Sequence, residues 1–164
     1  MKAALIEAVV QNYRFNLKLV DKQTDGMSHY DSLLQLPFKG NCLNWVVGHI
    51  IQGRSELLAI LGKAALWGET EARVYQTGSE PITPYNADTA LCFEKLLNLL
   101  RESQMPLEQT LEKITAEELD RAVEEGGKSS TIGELINGYC WHETYHIGQI
   151  ELLCRLAGKT GAEL

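Results

Sequence analysis

The sequence predicts an all-α protein, a four-helix bundle with long connections and a short extra helix. Three observations carry this expectation. Four segments repeat apolar residues at helical spacing, no segment sustains the alternation of a strand, and start and stop signals bracket the apolar runs. Four amphipathic helices in one 164-residue chain can bury their stripes against one another. Residues 1–164 are therefore expected to form one domain.

The first helix is expected over residues 2–20, with Leu5, Ala8, Val9 and Tyr13 along one face. Asp25-Gly26 marks a turn. Pro37, Gly40 and Asn41 end a linker, and Asn41 is placed to cap a second helix over residues 42–61, which Gly62 closes. A connection follows over residues 63–84, rich in glycine and proline, with room for a helical turn near Trp67. Asn86 or Asp88 is the expected cap of a third helix carrying Leu91, Leu96, Leu97 and Leu100. Pro106 should kink or break that helix after Met105, because proline lacks the amide hydrogen and crowds the preceding turn. Helical character resumes through Leu111 and Ile114. Thr115-Ala-Glu-Glu118 reads as a capping box for a short helix, and residues 124–130 as a loop. Thr131-Ile-Gly-Glu134 is a second capping box, opening a last helix to about Ala157 with Gly158 as its stop.

Composition narrows the function. The net charge is −7, with no cluster of Lys and Arg, which argues against a nucleic-acid partner. No apolar run approaches the ~20 residues of a membrane span, and no signal peptide is expected, so the reading is a cytoplasmic chain without a membrane partner. Cys42, Cys92, Cys140 and Cys154 form no C-x-x-C pair and are expected to be reduced and mostly buried.

Only four histidines occur, and two of them, His142 and His146, lie one helical turn apart. At that spacing both imidazoles can reach one ion. A third ligand should come from another helix, and His49 is the best placed. The apolar stripe of the second helix runs through Leu43, Val46, Val47, Ile50, Leu57, Leu58 and Leu61. His49 falls off it, sharing a face with Trp45, Gln52 and Glu56, a pocket wall or a solvent face. On the last helix His142, His146 and Gln149 flank the stripe of Ile132, Ile136, Tyr139, Ile147, Ile150 and Cys154, whereas Glu143 lies inside it. That position suggests a buried carboxylate paired with an arginine of another helix, or a residue at a dimer contact. Glu56 is a candidate for orienting water or a ligand, and Gln149 for supporting the histidines. Trp45, Trp141 and Tyr145 are candidate pocket walls, core packing being the commoner role of such aromatics. His29, in an expected loop, is left out.

Two families share these residues. His142-Glu-Thr-Tyr-His146 matches H-E-x-x-H, in which two histidines bind zinc and the glutamate serves as general base. The context is poor for a zinc metalloprotease. No histidine follows His146, Glu151 lies on the same helix, and Glu163 is in the tail. The pattern His142-x-x-x-His146-x-Gly148-Gln149, with Leu43-Asn-Trp45-Val-Val-Gly-His49 upstream, resembles the DinB/YfiT-like family. That resemblance implies a divalent metal ion held by His49, His142 and His146 inside a four-helix bundle; three imidazoles suit zinc, nickel, copper or iron, with zinc or nickel the first expectation. It also implies homodimers, a small-molecule ligand and, for some members, a low-molecular-weight thiol cofactor. The implied activity is a metal-dependent thiol S-transferase or hydrolase. A stress-response module that binds metal or ligand without turnover is the alternative.

Overall fold

A computed structural model describes residues 2–125 and 127–159. The described chain runs α1 (Lys2–Gln23), α2 (His29–Ser32), α3 (Leu43–Ile60), α4 (Glu69–Tyr75), a 3-10 turn (Ala87–Thr89), α5 (Phe93–Glu112), α6 (Ala116–Asp120), β1 (Ala122–Glu125), β2 (Lys128–Thr131) and α7 (Ile132–Leu156). The four long helices form the expected bundle. α1 and α3 each pack against both α5 and α7, so α1 stands diagonally from α3, and α5 from α7. α4 lies against α3.

Both predicted capping boxes form. Thr115 accepts from the Glu118 amide and Thr131 from the Glu134 amide, and each glutamate carboxylate returns the bond to the cap amide. A third box, Ser28 with Asp31, starts α2 and makes His29 helical rather than part of a loop. The third long helix begins later than expected. Its cap is Cys92, and Asn86 instead ties the preceding connection to itself, accepting from the Thr83 amide and hydroxyl. The turn expected near Trp67 lies just downstream, as α4.

Two expectations fail. Pro106 does not break α5, which runs unbroken to Glu112. Glu102, Met105 and Pro106 are all exposed, so the carbonyl deprived of a donor lies on the solvent side of the helix, where water can satisfy it. The loop expected over residues 124–130 is a two-stranded antiparallel hairpin pairing Ala122 with Thr131 and Glu125 with Lys128. Four-residue strands with one partly buried apolar residue, Val123, are too short to show an alternation.

The core divides along the bundle. One cluster surrounds Val47, Ile51, Tyr75, Leu96 and Ile150; the other surrounds Tyr13, Leu57, Leu107, Leu111 and Ile136. Cys42, Cys140 and Cys154 are buried and Cys92 is exposed; all four are free thiols. Among the described residues no helix is long and apolar enough to cross a membrane.

Candidate metal centre

α3 supplies His49 and α7 supplies His142 and His146, on adjacent helices. Their ring nitrogens converge within 4.8 Å of one another. His142 Nε2 lies 2.9 Å from His146 Nε2 and 3.4 Å from His49 Nε2. Three nitrogens around one ion at ~2.0–2.1 Å, subtending ~90–109°, would stand about 2.9–3.4 Å apart. The rings meet edge to face, with interplanar angles of 83–87°. The donor set therefore fits a divalent metal ion.

Neighbouring groups aim the lone pairs. His49 Nδ1 lies 2.7 Å from the Tyr75 carbonyl oxygen, which can only accept, so the His49 hydrogen sits on Nδ1 and Nε2 is bare. His146 Nδ1 lies 2.7 Å from Gln149 Oε1, with the same consequence. Gln149 is oriented in turn by donating from Nε2 to the Tyr145 hydroxyl. Two bare Nε2 atoms thus face His142 Nε2, which in the neutral ring can offer one proton to two acceptors. A metal ion satisfies all three once the His142 hydrogen moves to Nδ1.

Burial agrees with neutral rings. Removal from water, with His142 and His49 nearby, brings His146 down to about 4 from an ordinary 6.5. Burial and the His49 ring lower His142 as well, against the opposing carboxylates of Glu56 and Glu143. Imidazoles held neutral are the form that binds metal.

Trp45 stacks on the His49 ring, with centroids 4.6 Å apart, and its indole N–H is shared between the Val74 carbonyl and the Ser79 hydroxyl. His49 is thus buried rather than on a solvent face. Glu56 is half-buried and held by two donors, Gln52 Nε2 at 2.8 Å and the Tyr139 hydroxyl at 3.2 Å. Gln52 is itself held by the Trp67 indole N–H at 2.7 Å. Tyr145 and Trp141 depart from the expectation of a pocket wall. Tyr145 touches His146 with one ring edge, but both side chains are exposed on the outer face of α7, where they stack on each other.

Glu143 does not serve as a metalloprotease base. Its carboxylate accepts from Arg54 Nε at 2.7 Å and Nη2 at 2.9 Å, and from Asn16 Nδ2 at 3.3 Å, all buried. Arg54 also donates to Ser103 and lies over the Tyr13 ring. Glu163 lies outside the described residues.

Several supporting residues escaped the sequence reading. Arg54 had a signal: it falls on the apolar stripe of its helix, as Glu143 does on α7, and two opposite charges in facing stripes imply a buried pair. Tyr75 had none. It acts through its main-chain carbonyl, and a connection's path cannot be read from spacing.

The sequence model of the DinB superfamily matches residues 31–150, a span that includes all three histidines. The chain belongs to the DinB superfamily. No curated protein matches it. Among solved structures, a DinB-like protein from Bacillus cereus is similar, with a TM-score of 0.71 at 19% identity. A DinB-like protein from Bacillus subtilis gives 0.65 at 18%, and a conserved protein from Enterococcus faecalis 0.63 at 16%. In each case 96% of both chains is covered. At these identities the likeness speaks for the bundle alone, and this DinB-superfamily member's chemistry rests on its own residues.

Proposed function

We propose that this DinB-superfamily protein binds a divalent metal ion, zinc or nickel, through His49, His142 and His146, and uses it in a reaction of small molecules. The observation that carries the proposal is the convergence of three ring nitrogens within 4.8 Å, with His142 Nε2 at 2.9 and 3.4 Å from the Nε2 atoms of His146 and His49, both of which are bared by acceptors behind their rings. Such an ion, when bound, lowers the pKa of a coordinated thiol or water and leaves positions open beyond three protein ligands.

The favoured reaction is transfer of a low-molecular-weight thiol to a carbon electrophile. Glu56 is the acceptor for the thiol proton: its carboxylate is near enough to act electrostatically on His142, and Gln52 and Tyr139 fix it. The sulfur lone pair then forms the C–S bond while the leaving group departs with its own electron pair. Trp45 backs the His49 ring and Trp67 holds Gln52, so both tryptophans help to fix the groups of this site. Water in place of the thiol would give hydrolysis by the same proton transfer. We further propose a cytoplasmic setting, where free thiols are abundant.

Native mass spectrometry with elemental analysis tests the site. One divalent ion per chain, lost in His49→Ala, is the expected result; no metal as purified and none on titration would refute it. Assays of thiol cofactors against model electrophiles then test the reaction. Turnover needing both metal and thiol supports a transferase, whereas ligand binding without turnover would make the protein a non-catalytic module.

A further inference from the structure

A cleft of about 630 Å³ opens at the end of the bundle where α3 and α5 stop and α7 begins. Leu58, in its wall, lies nine residues past His49 on α3, roughly 14 Å away along the helix axis. Leu58, Leu61, Leu66, Ile114 and Ile132 give the cleft an apolar floor. Leu58 and Ile132 are each 1% exposed, so the floor is the core itself. Gln109 and Thr110 of α5 add two uncharged polar groups. This volume, with a mostly apolar lining and a few polar groups, is that of a small-molecule site. None of the three histidines lines it.

The charged residues around the cleft are Lys63, Lys113, Arg121 and Glu118, a surplus of positive charge on a chain whose net charge is −7. Three helix ends bring the cations together. Gly62, at φ +73°, turns the chain so that the Lys63 amide donates back to the Leu58 carbonyl at 2.8 Å, and Lys63 leaves the helix beside the floor. Lys113 ends α5 and Arg121 ends α6. A helix end carries about half a negative charge, so the three ends offset at most about half of the three cations. The Glu118 carboxylate is already held by the Thr115 amide at 2.7 Å, and Lys63 and Arg121 both lie near enough to act on it electrostatically. Among the described residues no carboxylate comes within ion-pairing distance of Lys63, Lys113 or Arg121. The positive charge left over is small, which suits a monoanion better than a phosphate dianion.

We infer that this cleft binds a small carboxylate with an apolar body, such as a medium-chain fatty acid, its body on the Leu58–Ile132 floor and its head group among Lys63, Lys113 and Arg121. Arg121 can meet both carboxylate oxygens with paired N–H groups, while the two lysines act as point charges. The site shares no residue with the three-histidine set, so it stands whether or not the proposed reaction is correct.

Isothermal titration calorimetry of the full chain with decanoate, kept below its micelle concentration, tests this. One saturable decanoate per chain is expected, with an affinity that falls as salt rises. Decylammonium, with the same body and the opposite charge, should bind at least ~10-fold more weakly. Lys63→Glu combined with Arg121→Glu should weaken decanoate by at least ~10-fold. Ala65→Trp, which fills the cleft from its wall, should abolish binding. All three positions are exposed, so the circular-dichroism spectrum should be kept. His49→Ala should bind decanoate as tightly as the unaltered chain, whereas a carboxylate held by a metal ion at the histidines would be lost. Absence of saturable binding overturns the inference, as does equal binding of decylammonium. So does loss of decanoate in His49→Ala, an affinity untouched by the glutamate pair, or attachment to phosphatidylglycerol vesicles in place of decanoate.

Discussion

Glu143 follows His142 directly in the chain, yet its carboxylate is bonded in two places to Arg54 on α3, at 2.7 and 2.9 Å. One residue of α7 faces the metal centre and the next fastens the helix to its neighbour. The ion pair is 1% and 5% exposed, so removal of either partner strands a charge in the interior.

Glu143→Ala is therefore expected to lose about 3–5 kcal/mol of stability, read from urea unfolding. Arg54→Met combined with Glu143→Met should recover much of that loss. A stable, metal-loaded Glu143→Ala protein whose only defect is turnover would contradict this assignment.

Gln149→Leu removes the acceptor that holds the His146 hydrogen on Nδ1. The loss should weaken metal affinity by about 10–100-fold, measured by chelator competition. Thermal stability of the metal-free protein should change little, because Gln149 is not fully buried.

Gly48→Ala tests the other support. A Cβ at position 48 would run into the Tyr75 ring, and the Tyr75 carbonyl is what receives the His49 hydrogen. Displacing that residue should cost roughly 1–3 kcal/mol and lower metal affinity together. Equal affinity in the folded variant would remove Tyr75 from the support of the site.

The metal-free protein should also lose stability in mild acid. His146 stays neutral in the fold down to about 4, whereas the unfolded chain takes up its proton near 6.5. Protons therefore favour the unfolded state as pH falls through that window, and the effect vanishes above it. Urea midpoints at several pH values would display the decline, and His146→Gln should flatten it.

Much of this was legible in the sequence, and the gaps have physical causes. Helical periodicity and two capping boxes marked the bundle, because both are local signals. The histidine triad was legible because three scarce residues sat off the apolar stripes. Pro106 misled because its effect depends on whether solvent lies beside the freed carbonyl, a tertiary fact. The hairpin was missed because its strands are shorter than the pattern that reveals them. His49 was expected on a polar face, yet α4 and its connection cover it. The exposure of Trp141 and Tyr145 was equally hidden, since a stripe of large apolar residues looks the same inside a core or on an outer face.

The two bare nitrogens of His49 and His146 carry a consequence for the chain's history. A bundle shaped by stability alone would be free to fill that space with leucines, at no loss of packing. Three converging imidazoles, two of them braced from behind by a carbonyl and an amide, are a poor way to make an interior. They hold a shape set by something other than folding, and a library selected only for stability should discard them first.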